Sequence, residues 1–534
     1  MPPSPPESRN LGDLVDLAVD RERVLVVDTG AGDATWTGGR IHERARAVAG
    51  ALRARGLRRG DRVAILSANR AEYLVAVLGI MQAGLVAVPV NIRLPGATVA
   101  HILGDSGARL ALSDDALPDL PDGLDRMALA EVGRLPSVDD GEVVRPEPGE
   151  VAMILYTSGS NGPPKGVPLT HHGHRWVIDE RRRPNVDYRA ERILVAAPLY
   201  HMNALALAQF SLACGSTVVL MPRFDAAGYI DAIERHRCTL ITSIPTMLAL
   251  VCRETERLAA TDLSSVRGIR MGSAPVTPEL IARLEEAFPA ARIQIGYGTT
   301  EAGPVVFGPH PDGRPTPALA LGCRHPTVKL RLVGPDGGES DRGVLEMKCP
   351  AVMPGYHGLP EKTAEAMTAD GYYRTGDVMR RDAEGFHYFF GREDDMFVCN
   401  GENVHAEEVE RRLESMPAVA QACVVPVADE VRGHMPVAWV VPAGGASPDE
   451  DAVKGYALAS GPAVEHPRRV FFLPELPLGG TNKIDRRELA ARAAALVRAA
   501  LTRDPAAAPR GTSRPSSPVS PPATASPIPR EKQQ

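Results

Sequence analysis

The spacing of apolar positions along this chain changes period several times, and each change marks an element. Apolar residues recur at helical spacing over Ile41–Ala54, and the run Arg62–Leu66 reads as a buried strand. Tyr73–Val90 is largely apolar and of a length that raises a membrane span. Gly79, Gln82, Gly84 and Pro89 divide it instead into a buried helix to about Ala83, a turn at Gly84 and a strand. Further strands are expected at Ala108–Leu112, Val151–Tyr156, Ile193–Ala197, Thr217–Met221, Thr239–Ser243, Gly268–Met271 and Arg292–Ile295. Helices such as Asp225–His236 and Pro278–Ala287 lie between them, while residues 113–147, rich in Asp, Pro and Gly, read as a loosely ordered connection. Strands alternating with helices imply an α/β fold whose parallel strands are covered by helices.

From Thr327 to Cys349 the period becomes that of a β-hairpin with turn residues at its tip. A second unit is expected from Glu393, with an amphipathic helix Ala406–Ser415, strands Ala422–Val427 and Val437–Val441, a helix near Asp449–Ala459 and a strand Arg469–Phe472. The expected architecture is a large N-terminal multi-sheet α/β domain over 11–392 and a small α+β domain over 393–496. Residues 1–10 read as a disordered lead, and 497–534, a Pro/Ala/Ser-rich tail, as too poor in apolar residues to bury a core.

Composition narrows the function classes. A net charge of −6 with no basic stretch argues against a nucleic-acid partner. The seven cysteines form no CxxC pair and have no histidine at metal-ligand spacing, and MPPSPPESRN lacks a secretory pattern, so a cytoplasmic protein with reduced thiols and no membrane span is expected.

The candidate chemistry is concentrated where strands end, which is where open α/β sheets bind ligands. Val151–Gly166, VAMILYTSGSNGPPKG, is a strand emptying into ten residues with three glycines, two prolines, two serines, one threonine and one lysine. Glycines let backbone approach a bulky anion, hydroxyls and amides donate, and Lys165 supplies a counter-charge, so the expected ligand is a polyphosphate. The spacing is not that of a P-loop, because Pro164 precedes Lys165 and Gly166 follows it.

This segment resembles the phosphate loop of the adenylate-forming superfamily, which includes acyl-CoA synthetases, peptide-synthetase adenylation domains and luciferases. Five further segments between about residues 35 and 490 match it in order: PLYH, GSAP, GYGTTEAG, YRTGD with GREDD, and PLGGTNKIDRREL. The resemblance implies that Thr157, Ser158, Gly159, Ser160, Asn161, Gly162 and Lys165 surround the ATP phosphates. It implies that Gly272, Ser273, Ala274 and Pro275 line the adenine and acyl sites. In Gly296–Gly303 it puts Tyr297 on the adenine, Thr300 on phosphate and Glu301 on Mg²⁺, with Gly296, Gly298 and Thr299 completing the turn. Asp377 would accept both ribose hydroxyls, with Arg392 as a second ribose contact, Phe389 nearby, and Asp394 at the hinge. Lys483, with Thr157, Thr300 and Glu301, would stabilise charge on the phosphorane and the leaving pyrophosphate.

The implied reaction joins a carboxylic acid to AMP at the expense of ATP and then passes the acyl group to a thiol. The small domain is expected to be mobile, turning between the two steps. His201, Met202, Ser243, Ile244, Met271, Ala274 and Gly298 are the expected acid pocket, suited to a modest hydrophobic acid. CoA is the expected acceptor, through a tunnel at Asn400, Gly401 and Glu402. Several positions depart from the family pattern: Asn161 replaces threonine, Asn400 replaces a glycine, His405-Ala406 replaces Tyr-Pro, and His434 replaces a glutamate. Two alternatives therefore stay open: an adenylating enzyme serving a carrier protein, an amine or another nucleophile, and a non-catalytic nucleotide-binding protein on the same fold.

Overall fold

The computed structural model describes residues 9–114, 123–136, 142–157, 163–274, 276–400, 402–429, 431–479 and 484–503. Four sheets organise them. The first runs in the order Arg292–Gly296, Gly268–Gly272, Leu240–Ser243, Arg192–Val195, Thr217–Leu220, Val24–Asp28, Ala34–Thr37, and only the last pair is antiparallel. The second runs Asp125–Ala128, Ala108–Ser113, Arg62–Leu66, Val86–Pro89, Val151–Thr157, Lys165–Thr170, again parallel except for the final pair. Both are the α/β sheets expected from continuous apolar runs, since strands covered on two faces have no polar side.

Helices Gly38–Ala54 and Ala71–Gln82 fill the space between these sheets, and one core draws on both. Gly79 permits that crossing, because a Cβ there would stand 2.5 Å from the Ala45 carbonyl oxygen. Gly84 turns the chain at φ 73° into the strand Val86–Pro89, which accounts for the whole apolar stretch. No helix among the described residues is long and apolar enough to cross a membrane.

The third sheet is antiparallel and includes the hairpin Lys329–Val333 with Arg342–Lys348, followed by Tyr373–Arg381 and Phe386–Arg392. The fourth holds Glu402–His405, Met396–Cys399, Gly433–Pro442 and Val419–Asp429, with Arg469–Phe472 parallel to Gly433–Pro442. Helices Ala406–Glu414 and Glu450–Ser460 pack on one face and Arg486–Arg503 on the other.

Four sequence expectations need correction. The lead expected over 1–10 includes Asn10, which is 5% exposed and donates to the Met81 and Val144 carbonyls at 2.7 and 2.8 Å. The tail expected from 497 overlaps helix Arg486–Arg503, in which Val497 is buried. Within 113–147 a strand, Asp125–Ala128, and a short helix, Leu129–Arg134, bury Met127, Leu129 and Val132. Val24–Asp28 and Ala34–Thr37 add two strands that the pattern analysis passed over.

His171 and His174 occupy the buried side of helix His171–Arg181, and burial pulls each down to about 4, with His387 in the same position. His171 Nδ1 accepts from the Leu11 amide at 3.0 Å, a bond that needs the neutral ring. An unfolded histidine titrates near 6.5, so below that pH the unfolded chain gains protons that the folded one excludes. Stability should be complete above about pH 6.5 and fall towards pH 4, by about 1.4 kcal/mol per pH unit for each histidine. Urea midpoints should drop between pH 7.5 and 5, and His174→Gln should flatten the slope; an unchanged slope would contradict this assignment.

Candidate active site

Thr157 ends its strand opposite Lys165 on the next. Between them Ser158–Gly162 lie outside the described residues, as do Pro275, Gly401 and Lys483. The Lys165 ammonium stands 4.4 Å from the centroid of the Tyr356 ring, and the Tyr356 hydroxyl donates to Glu301 Oε1 at 3.0 Å. The same segment donates the Met353 amide to the Glu301 carbonyl at 2.7 Å and the His357 amide to the Gly166 carbonyl at 2.8 Å. Residues 353–357 thus clamp the phosphate-loop lysine to the expected metal carboxylate. Burial first, and Glu301 second, push the Tyr356 phenol well above its usual value, so it remains a donor. Sequence reasoning missed Tyr356; the signal available was an aromatic beside two glycines, Gly355 and Gly358.

A second cluster forms around Asp377, which is 5% exposed. The Tyr297 hydroxyl donates to Oδ2, and Arg392 Nη1 donates to Oδ1 at 2.9 Å. Arg392 also donates to the Thr375 carbonyl at 3.1 Å and to Asp394 Oδ1 at 3.0 Å. Burial alone would lower the Arg392 pKa, but Asp377 and Asp394 outweigh it and raise it. The structure therefore joins Tyr297, Asp377, Arg392 and Asp394 in one network, with Phe389 further back on the Arg392 strand and half-buried against the main core.

Backbone packing explains the glycines between these clusters. Gly272 and Gly296 are register partners, and a Cβ on Gly272 would stand 2.3 Å from the Gly296 oxygen. A Cβ on Gly298 would stand 2.6 Å from Pro304 Cα. Ser273 takes φ 68°, which turns the chain so that half-buried Ala274 lies beyond the strand end. Thr299 Oγ1 accepts from the Ala302 amide at 3.1 Å, fixing the turn that presents Thr300 and Glu301.

The expected acid pocket is only partly assembled. His201 caps helix Met202–Cys214, and Met202 Sδ lies 3.4 Å from His174 Nε2. Ile244 and Met271 instead lie with the core beneath Leu280 and Leu284, with Met271 1% exposed and buried Ser243 its register partner. Strand alternation puts Ser243 and Met271 on the face that carries this core, whereas Met202 packs against the main core. The residue of that strand presented to the other face is Arg270.

In the small lobe, Asn400 adopts φ 53° and Glu402 is exposed. Asparagine is among the few residues that take the left-handed region readily, which reconciles it with a position expected to hold glycine. The segment carrying Lys483 is held on both sides. Leu478 bridges Ile484, the Asp485 amide donates to the Pro477 carbonyl at 2.8 Å, and Arg486 pairs with Glu410 through two contacts of 2.6 and 2.7 Å. Helix Ala406–Glu414 reaches the third sheet through Glu408 with Arg342 at 2.6 Å and Arg411 with the Phe389 carbonyl at 3.3 Å.

Residues 16–357 match the family described as AMP-binding enzyme, and residues 408–483 match the AMP-binding enzyme C-terminal domain. The chain belongs to the AMP-binding enzyme family. Within it the chain falls in the adenylate-forming acid–CoA ligase branch. Feruloyl-CoA synthase from Amycolatopsis sp. is 35% identical over 475 residues, covering 86% of this chain and 94% of that protein. Among solved structures, ATP-bound MatB from Rhodopseudomonas palustris superposes with TM-score 0.83 at 25% identity, over 92% of this chain and 100% of that one. The amide bond synthetase McbA from Marinactinospora thermotolerans gives 0.78 at 27% identity, over 91% and 99%.

Tyr356→Phe keeps the ring on Lys165 and removes the donor to Glu301. Mg-ATP should bind this variant about tenfold more weakly, the net value of one hydrogen bond to a charged group, and Tyr356→Leu more weakly still. Calorimetric titration checks this; equal affinity in all three proteins would refute the clamp.

Proposed function

We propose that this AMP-binding enzyme activates a carboxylic acid with ATP and transfers the acyl group to CoA. The observation that carries the reading is the convergence of two clusters, Lys165–Tyr356–Glu301 and Tyr297–Asp377–Arg392, at neighbouring strand ends. In the first step a carboxylate oxygen bonds to the α-phosphorus and pyrophosphate leaves, giving an acyl-adenylate. In the second a thiolate bonds to the carbonyl carbon and AMP leaves.

Each cluster has a part in this scheme. Asp377 accepts from the ribose hydroxyls, and Arg392 holds that carboxylate ionised and in place. Lys165 faces the leaving phosphates. Thr157 and Thr300 hold phosphate oxygens at the two strand ends. Lys483 supplies the positive charge that the phosphorane needs.

Glu301 fits a magnesium ion that arrives with the nucleotide. It is a hard oxygen donor held by Tyr356, and no group of three or more His, Cys, Asp or Glu among the described residues could hold a metal unaided. The ion supplies charge neutralisation at the phosphates.

The acceptor half rests on the segment Asn400–Glu402, beside which pantetheine would pass. The left-handed Asn400 favours a second reading, transfer to a carrier protein or an amine, because its side chain stands where a glycine would leave open space. An amide bond synthetase with a similar fold is consistent with that alternative.

Acid-dependent exchange of labelled pyrophosphate into ATP tests the first step, and thioester formation with free CoA tests the second. Lys483→Ala should reduce exchange by about 10²–10³ and leave CoA transfer from a supplied acyl-adenylate largely intact. Equal loss in both half-reactions would refute the division of labour, and exchange without thioester would select the second reading.

A further inference from the structure

Arg270 is the one charged side chain on the strand Gly268–Gly272. Ile269 and Met271 on either side of it point into the core beneath Leu280 and Leu284, so Arg270 projects from the opposite face. It lies over the start of the nucleotide turn: a Cβ placed on Gly296 would stand 2.8 Å from its Nε and 3.2 Å from its Nη2. Arg181, at the end of helix His171–Arg181, faces the same interior, with its guanidinium carbon 4.7 Å from the centroid of the Phe210 ring. Burial first, and Arg270 second, draw the Arg181 pKa down to about 9, and Arg270 is lowered by burial and Arg183.

Among the described residues neither guanidinium has a carboxylate within ion-pair distance or a hydrogen-bond acceptor. Several other half-buried arginines do: Arg331 pairs with Glu346, Arg392 with Asp377 and Arg486 with Glu410. Two neighbouring cations withdrawn from water with no counter-charge are costly. Such an arrangement is sustained where a ligand supplies the anion.

We propose that the acid activated by this enzyme carries a second anionic group, received by Arg270 with Arg181 behind it. The inference rests on the acid-activating reading above and names the substrate class within it. One carboxylate points to the α-phosphate, and the other end, a carboxylate or sulfonate, meets the planar guanidinium over Gly296, which accepts such groups through paired N–H donors. The pocket is therefore polar at its far wall, not the apolar pocket suggested by Met271.

Pyrophosphate exchange with matched acids tests this: adipate against hexanoate, and terephthalate against 4-methylbenzoate, using wild type, Arg270→Met and Arg270→Lys. Wild type should favour the dianionic member in kcat/KM by about tenfold or more. Arg270→Met should erase that preference and Arg270→Lys retain part of it, with the KM for ATP unchanged in both. The inference is overturned if wild type handles the neutral member equally well, or if Arg270→Met slows both members alike. Exchange with no acid at all would refute the activation chemistry itself. Calorimetric binding of adipate and terephthalate then decides the charge question alone, since Arg270→Met must bind them at least about tenfold more weakly and equal binding overturns the proposal.

Discussion

The Asp377 carboxylate has an oxygen for each of two neighbours, Tyr297 from the end of the first sheet and Arg392 from the third. It is nearly inaccessible to water, so its charge is stabilised by those donors, while the Thr375 hydroxyl fixes the backbone by accepting from the Asp377 amide at 3.0 Å. This arrangement ties the end of the first sheet to the third through charged and polar groups. It also sets the starting point of the small lobe, because Arg392 reaches on to Asp394, two residues along the chain. A carboxylate held in this way is preorganised, and in the proposed reaction little reorientation would remain when a ribose binds.

The small lobe is docked by polar and aromatic contacts in this structure. Arg342 and Arg411 both lie over the Phe390 ring, at 4.5 and 4.9 Å, while Arg342 also pairs with Glu408. Contacts of this kind are weaker than a continuous apolar core and are readily exchanged for others. A packed apolar seam would hold the lobe in one position; this seam is compatible with more than one. The fourth sheet, in contrast, is sealed on both faces by its own helices, so the lobe keeps its shape whichever contacts it makes.

Much of this was legible in the sequence because the physics that fixes it is local. Buried parallel strands are short apolar runs, and most of those from Arg62 to Ile295 could be read one after another. Glycines in Gly272–Pro275 and Gly296–Gly303 stood out because backbone has to approach backbone there, and the distances agree. What escaped was either exposed or distant. Asp125–Ala128 buries a single side chain, Met127, and so has no alternation to read. Tyr356 matters through Glu301, 55 residues earlier, and through the still more distant Lys165. Met271 is among the residues expected in the acid pocket, although the parity of its strand, with Ile269 two positions away, puts it in the core and Arg270 on the other face.

The contact between Arg270 and Gly296 also constrains how this chain could change. A methyl at position 296 would stand 2.8 Å from the Arg270 Nε, so the arginine side chain would have to swing aside to admit it. Shortening residue 270 opens that space, whereas enlarging residue 296 displaces the guanidinium from it. The two sites are therefore physically coupled: the size of residue 296 sets where the residue 270 side chain can lie.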